Sequence, residues 1–362
     1  MVKVYLLNSY FTNINEQNIT GSDKFAIDLI KKDIENNEEV HVIAPNYFFP
    51  LIKDTKVKFH NSGNYVSVPL IFGYFFRTFN AINFLSKIKK GGIVISCSDF
   101  FVDVIPAFVS RKNLSWYAFT YHLYPKALSF RSLFGRFLQL FSYFLFQGAE
   151  RVFVTNEICE NFLKKNFRIK NILKIHLGLK LQRYFSINQT PKHKGNLLFV
   201  GRFKESKGFF EVPDILNSLS KSYPNFYLYV IGSGSDIDIQ VFRKKLEEYD
   251  LDKKVQILTK LSDDEVLKYF EKADVLIHPS FEEGFSLTIC EALASNLKVC
   301  AYNLPIYKEI YGHFRIQTCK IHNVTSFAKN IEKCLISIHK TNYPIEFFED
   351  FDFDKTYNLI FT

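Results

Sequence analysis

Residues 278–295 read HPSFEEGFSLTICEALAS and follow the short apolar run ADVLI at 273–277. That run, partly β-branched, predicts a buried strand. Pro279 and Gly284 then punctuate a loop. Ser286 is placed to cap a helix over 287–294. On helical spacing Leu287, Ile289, Cys290, Ala292, Leu293 and Ala294 cover most of that helix. Thr288, Glu291 and Ser295 form its one polar stripe, at i, i+3 and i+7. Two readings of the stripe stand open. Helix geometry alone favours a stripe in bulk water, with Glu291 an ordinary surface charge. In the other reading it faces a cleft, and Glu291 accepts hydrogen bonds from ligand hydroxyls. The helix N-terminus beside it would offer free N–H groups and a positive dipole end to an anion.

Glu283 and Glu291 enclose seven residues, with Pro-Ser before them, Gly284-Phe285 between and Ala292 after. This arrangement resembles the donor-site motif of retaining nucleotide-sugar glycosyltransferases, specifically glycosyltransferase family 4 (glycosyl transferases group 1). The resemblance implies an α/β fold of the GT-B type. Two doubly wound Rossmann-like domains would face a cleft, and the C-terminal helix would cross back to the first domain. It also implies that Glu283 contacts the sugar and Glu291 the nucleotide ribose. Gly284 would line the same loop, with the backbone N–H groups of Phe285, Ser286 and Leu287 facing the diphosphate.

The 362 residues are 47% apolar, enough for two cores, so two domains are expected. A net charge of +9 suggests an anionic partner: a nucleotide, a phospholipid surface or nucleic acid. Nothing resembles a nucleic-acid-binding module, which ranks nucleic acid last. The six cysteines are scattered, with no CxxC pair and no histidine at ligand spacing. That argues against a disulfide framework or a zinc site and for the cytoplasm. The opening MVKVYLLNSYF reads as a core strand rather than a signal peptide. No uninterrupted apolar run reaches the ~18–20 residues that span a bilayer.

In the first half, 2–7 and 40–44 read as strands around a helix capped by Ser22, with Phe25, Ala26, Leu29 and Ile30 inward. A βαβ opening predicts a doubly wound domain that binds ligands at the carboxyl ends of its strands. Gly21 and Ser22, at the helix N-terminus, suit a phosphate or an acceptor; a capped helix needs neither. Further strands are predicted at 93–97, 116–120, 151–155 and 172–177. His122 follows the strand at 116–120, where an ordinary polar residue is common. The resemblance places a cleft histidine there, as a substrate contact or hydrogen-bond relay. Two very apolar segments, 72–88 and 129–147, carry basic residues in or beside them: Lys87, Lys89, Lys90, Lys126, Arg131 and Arg136. Core helices are the simpler reading, since a doubly wound domain requires them. The alternative is interfacial helices lying on an anionic membrane. The polar stretch 186–195, SINQTPKHKG, reads as a linker.

In the second half a strand at 196–200 runs into GRFKESKG, 201–208. Gly201 at the strand end permits close backbone approach, and Arg202 and Lys207 at a helix start suit a diphosphate. The resemblance assigns the donor phosphates to this same Arg and Lys. A strand at 226–231 ends in a glycine turn, whose Gly232 would line the nucleotide pocket by resemblance. Strand 255–258 and helix 263–272 continue the alternation. At Asn296-Leu297-Lys298 the chain departs from the family's Gly-x-Pro.

These observations converge on an acceptor-binding domain over 1–187, rejoined by 344–362, and a donor-binding domain over 188–343. The expected activity is retaining transfer of a sugar from a nucleotide diphosphate sugar to a hydroxyl. The acceptor would be a glycan or lipid-linked saccharide. Glu283, Arg202, Lys207 and His122 form the expected catalytic set, with front-face attack assisted by the leaving phosphate. No Asp-x-Asp cluster ends a strand of the second half, so no metal is expected, nor a resident cofactor. The expected location is cytoplasmic, peripheral on the inner membrane face if the basic aromatic helices bind lipid. Two other classes fit the same residues: a nucleotide-sugar epimerase or hydrolase of the same fold, and a non-catalytic sugar-nucleotide-binding protein.

Overall fold

Short apolar runs become the central strands of each half, buried on both faces as a parallel sheet covered by helices demands. The computed structural model describes residues 1–10, 19–53, 55–64, 70–88, 90–123, 130–187, 195–337 and 342–362. Its first sheet contains β1 (Val2–Leu6), β2 (Glu39–Ala44), β3 (Lys58–Asn61), β4 (Gly92–Ser96), β5 (Ser115–Thr120), β6 (Arg151–Val154) and β7 (Ile172–Lys174). All pair in parallel, in the order β3-β2-β1-β4-β5-β6-β7. Strand β3, KFHN, has only one strongly apolar residue, and the sequence reading passed over it.

The second sheet contains β8 (Asn196–Val200), β9 (Tyr227–Ile231), β10 (Val255–Leu258), β11 (Val275–His278), β12 (Lys298–Tyr302) and β13 (Ile316–Cys319). Its order is β10-β9-β8-β11-β12-β13, again parallel. In each sheet the winding direction reverses once, between β1 and β4 and between β8 and β11. Loops leaving the carboxyl ends of those adjacent strands go to opposite faces, which opens a crevice there. Two Rossmann-like units, as expected, result.

The division between the units falls at Leu177/Gly178. The sequence reading put it near 187 and returned 344–362 to the first domain. The tail here belongs to the second unit, Gly178–Thr362. Phe351 O accepts from the Leu179 N–H at 2.8 Å. The Phe351 ring stacks on Tyr311 at 5.7 Å, and Phe348 tilts against Phe314 at 4.9 Å. Of the expected linker, 188–194 lies outside the described residues.

Helix Leu70–Leu85 is core on one face only, where Ala81 and Leu85 are buried. Phe72, Phe75, Phe76 and Phe79 are exposed, at i, i+3, i+4 and i+7, while Arg77 is 2% exposed. The guanidinium reaches the carbonyls of Asn8, Tyr10, Gly63 and Asn64 at 3.1–3.3 Å. Backbone acceptors thus draw the one cation inward and turn the phenyl stripe out. Helix Phe130–Leu145 likewise exposes Phe137, Phe141 and Phe144. Lys89 and Lys126, and the side chain of Arg131, lie outside the described residues.

Candidate active site

The two motif loops of the second unit leave the strands that flank its reversal point. Loop 201–208 follows β8, and loop 279–286 follows β11, its parallel neighbour. The loops are tied together. Ser206 O accepts from the Phe281 N–H at 2.9 Å and from Ser280 Oγ at 3.1 Å. Gly208 has φ +65°, and a Cβ there would sit 1.9 Å from Pro279 O, so only glycine permits this approach. A third loop closes in after β9: a Cβ on Gly232 would lie 1.8 Å from Gly201 O. A Cβ on Gly201 would meet nothing nearer than 3.6 Å. The tight position is therefore Gly232, with Gly201 supplying the carbonyl it packs against. Phe203 and Phe209, both fully buried and stacked at 4.5 Å, anchor the first loop and leave Arg202 and Lys207 partly exposed.

Lys207 and Glu283 meet directly. Lys207 Nζ is 2.7 Å from Glu283 Oε1, and His278 Nε2 is 2.9 Å from the same oxygen. His278 Nε2 also lies 3.1 Å from Ser286 Oγ. Burial raises the Glu283 pKa, but the Lys207 charge and the His278 hydrogen bond outweigh it. The carboxyl is held well below the usual range and is ionised at neutral pH. The Arg202 guanidinium makes no ion pair or side-chain hydrogen bond among the described residues.

Ser286 stands at the N-cap position of helix Leu287–Ala294, but its side chain makes no capping bond. Its backbone is left-handed, φ 72° and ψ 75°, which turns Oγ toward His278 instead of the helix N–H groups. Tyr311 OH stabilises this turn, donating to Phe285 O at 3.1 Å and Ser286 O at 2.8 Å. The helix-starting N–H groups expected to meet an anion keep no side-chain cap.

The polar stripe of that helix does not face bulk water. Glu291 and Ser295 are buried. Tyr184 OH donates to Glu291 Oε1 at 2.7 Å, from the short helix Gln182–Phe185, with its ring edge-on to Phe270. Burial and the Glu291 charge together raise the Tyr184 pKa. Past the helix, Asn296 adopts φ 57°. Asparagine tolerates this conformation, so the helix ends without the family's glycine.

Three members of this cluster carry no role assigned from the sequence: His278, Tyr184 and Tyr311. His278 ends a strand, the position where such folds place functional groups, and was the one signal available. The others act through contacts of long sequence separation.

The remaining expected residues lie in the first unit. His122 is exposed after β5, and its carbonyl accepts from Gln139 Nε2 at 3.2 Å. Gly21 and Ser22 sit in the first turn of helix Gly21–Glu35, which Thr20 caps, with Asp23 completing a capping box. Ser22 is therefore not the cap; Thr20 has the required extended backbone and its hydroxyl accepts from the Asp23 N–H. At the reversal point of the first sheet, Asp103 is buried and accepts from the Asn8 N–H and from Ser98 Oγ, both at 2.6 Å. Burial, partly offset by those bonds, pushes its pKa up to about 7.

Residues 182–346 match the family described as glycosyl transferases group 1. The chain is 24% identical over 192 residues to an uncharacterized glycosyltransferase of Haemophilus influenzae, covering 51% of each chain. It is 23% identical over 216 residues to a GDP-mannose:cellobiosyl-diphosphopolyprenol alpha-mannosyltransferase of Xanthomonas oryzae, covering 58% of this chain and 53% of that one. The chain thus spans about half the length of the curated relatives it matches. In fold it is similar to Anabaena HepE, solved with UDP and glucose: TM-score 0.78, 15% identity, covering 99% and 98% of the two chains.

Proposed function

We propose that this chain, whose second unit carries a glycosyl transferases group 1 region, transfers a sugar from a nucleotide diphosphate sugar to a hydroxyl acceptor. The observation that carries the reading is the meeting of Lys207 and Glu283 where the second sheet reverses. An ammonium and an ionised carboxylate there suit the two halves of one ligand, phosphate and sugar. Donor binding then exchanges partners: the diphosphate takes Lys207 with Arg202, and sugar hydroxyls donate to Glu283. Glu291, steadied by Tyr184, accepts from the ribose. In the transition state negative charge grows on the leaving diphosphate. Arg202, Lys207 and the N–H groups of Ser286 and Leu287 stabilise it. Transfer proceeds with retention, and the acceptor hydroxyl attacks from the face the diphosphate leaves. His122 is an acceptor-side contact in this reading. The nucleotide sugar is a consumed co-substrate, and chelation of divalent metal leaves turnover unchanged.

The acceptor class is a glycan or a lipid-linked saccharide, in line with the diphosphopolyprenol named for the Xanthomonas relative. The exposed phenyl stripes suit an anionic membrane surface, since the chain carries net charge +9. No helix among the described residues is long and apolar enough to cross a membrane.

A thermal-shift panel of UDP, GDP, ADP and their sugar conjugates, including UDP-glucose and GDP-mannose, tests the donor site. A ligand at 100 Kd stabilises by ~2.7 kcal/mol. No shift with any of them sinks the reading. Turnover of the binding donor is then followed without acceptor. Rapid consumption in its absence identifies an epimerase or hydrolase instead.

A further inference from the structure

Tyr307 carries a hydroxyl that the free site does not use. It lies in helix Pro305–Tyr311, which follows β12, and is 4% exposed. Its hydroxyl has no hydrogen-bond partner among the described residues. A buried unpaired hydroxyl costs free energy that phenylalanine at the same place would avoid. This chain uses Phe at 40 positions and Tyr at 20, so composition does not explain the choice.

The surroundings do. The Tyr307 ring is edge-on to His278, with centroids 6.2 Å apart. Burial raises the hydroxyl's pKa, and the charge of Glu283 adds to that, so the two groups are within electrostatic reach. Glu283 receives both Lys207 and His278 on one oxygen, Oε1. Its Oε2 accepts no hydrogen bond among the described residues. An unused donor and an unused acceptor thus lie in one cluster, the donor fully buried.

We propose that Tyr307 is a positioning residue for Glu283 in the donor-bound state. When the diphosphate draws Lys207 away, the Tyr307 hydroxyl donates to Glu283 Oε2 and holds the carboxylate toward the sugar. Without that bond the charged carboxylate would rely on His278 and the sugar hydroxyls alone once Lys207 has turned to the diphosphate. The inference rests on the donor site proposed above and adds one residue to it.

Tyr307→Phe tests it with two readouts that move in opposite directions. Thermal melting of the unliganded variant rises by about 2 °C or more, because an unsatisfied group is gone. Turnover at saturating nucleotide sugar falls about tenfold, the loss of one charge-assisted hydrogen bond. Affinity for the nucleoside diphosphate, which by itself draws Lys207 from Glu283, falls as well. In the Glu283→Gln background the same substitution has little further effect on turnover. A lower melting temperature shows a hydroxyl already satisfied in the free protein and overturns the proposal. So does full turnover by the variant beside an active wild type. If the wild type is stabilised by no nucleotide or nucleotide sugar, the donor-site reading falls first and takes this role with it.

Discussion

The motif resemblance gives Lys207 and Glu283 separate tasks, phosphate and sugar, and in the free protein each is the other's partner. The pairing has a measurable cost when broken. Lys207→Ala leaves a buried carboxylate with one remaining partner, and destabilises the second unit by ~3 kcal/mol. It also slows transfer by orders of magnitude. Adding Glu283→Gln restores most of the stability and none of the turnover. Denaturant midpoints and turnover of both variants check this; near wild-type turnover by Lys207→Ala would remove the lysine from the site. The acid dependence has a definite sign. The folded pKa of Glu283 is depressed, so its stabilisation is present above the unfolded value, about 4.5, and is lost as pH falls below it. Asp103 behaves oppositely. Its folded pKa, about 7, lies above the unfolded 3.8, so folding retains a proton that the unfolded chain releases. Its contribution is fully present below pH ~4 and declines as pH rises to 7. Asp103→Asn should flatten that part of the stability profile, read by urea unfolding from pH 4 to 8. An unchanged slope would show that other groups carry it. At this scale the sequence showed which side chains could do the chemistry. It could not show Tyr184 on Glu291 or His278 on Glu283, because neither bond has a local pattern.

Among elements, helices Leu70–Leu85 and Phe130–Leu145 are where periodicity misleads. Both are apolar on most faces, and a pattern without a polar side cannot say which face is inward. The environment decides: four backbone carbonyls capture Arg77, and the phenylalanines opposite are left in solvent. Phe75→Ser with Phe79→Ser therefore changes unfolding free energy by no more than about 0.5 kcal/mol, as exposed positions do. The same double variant should lose sedimentation with anionic vesicles at low salt. Wild type that fails to sediment, or a variant that sediments equally, removes the membrane role. Helix Leu287–Ala294 shows the reverse case. Its polar stripe looked solvent-facing on spacing alone, and packing by Tyr184 covers it.

For the whole molecule, the unit Gly178–Thr362 contains its own six-stranded sheet, its own core and the C-terminal tail. Expressed alone it should unfold cooperatively and retain nucleotide binding. A fragment ending at 343 should be markedly less stable, since Tyr311 and Phe314 lose the rings of Phe351 and Phe348. Equal melting of the two fragments would detach the tail from this unit's stability. Sequence by itself determined the α/β class, the two-domain count and the strand–loop–helix around Glu283. Apolar runs, glycine punctuation and helix formers are local properties, and the motif spacing survives in one dimension. It did not determine β3, the place of the tail, the facing of the phenyl stripes or the partners of Glu283 and Glu291. Those depend on which groups meet across long sequence separations, where burial makes a neighbouring charge or hydroxyl decisive, and only the tertiary structure sets that.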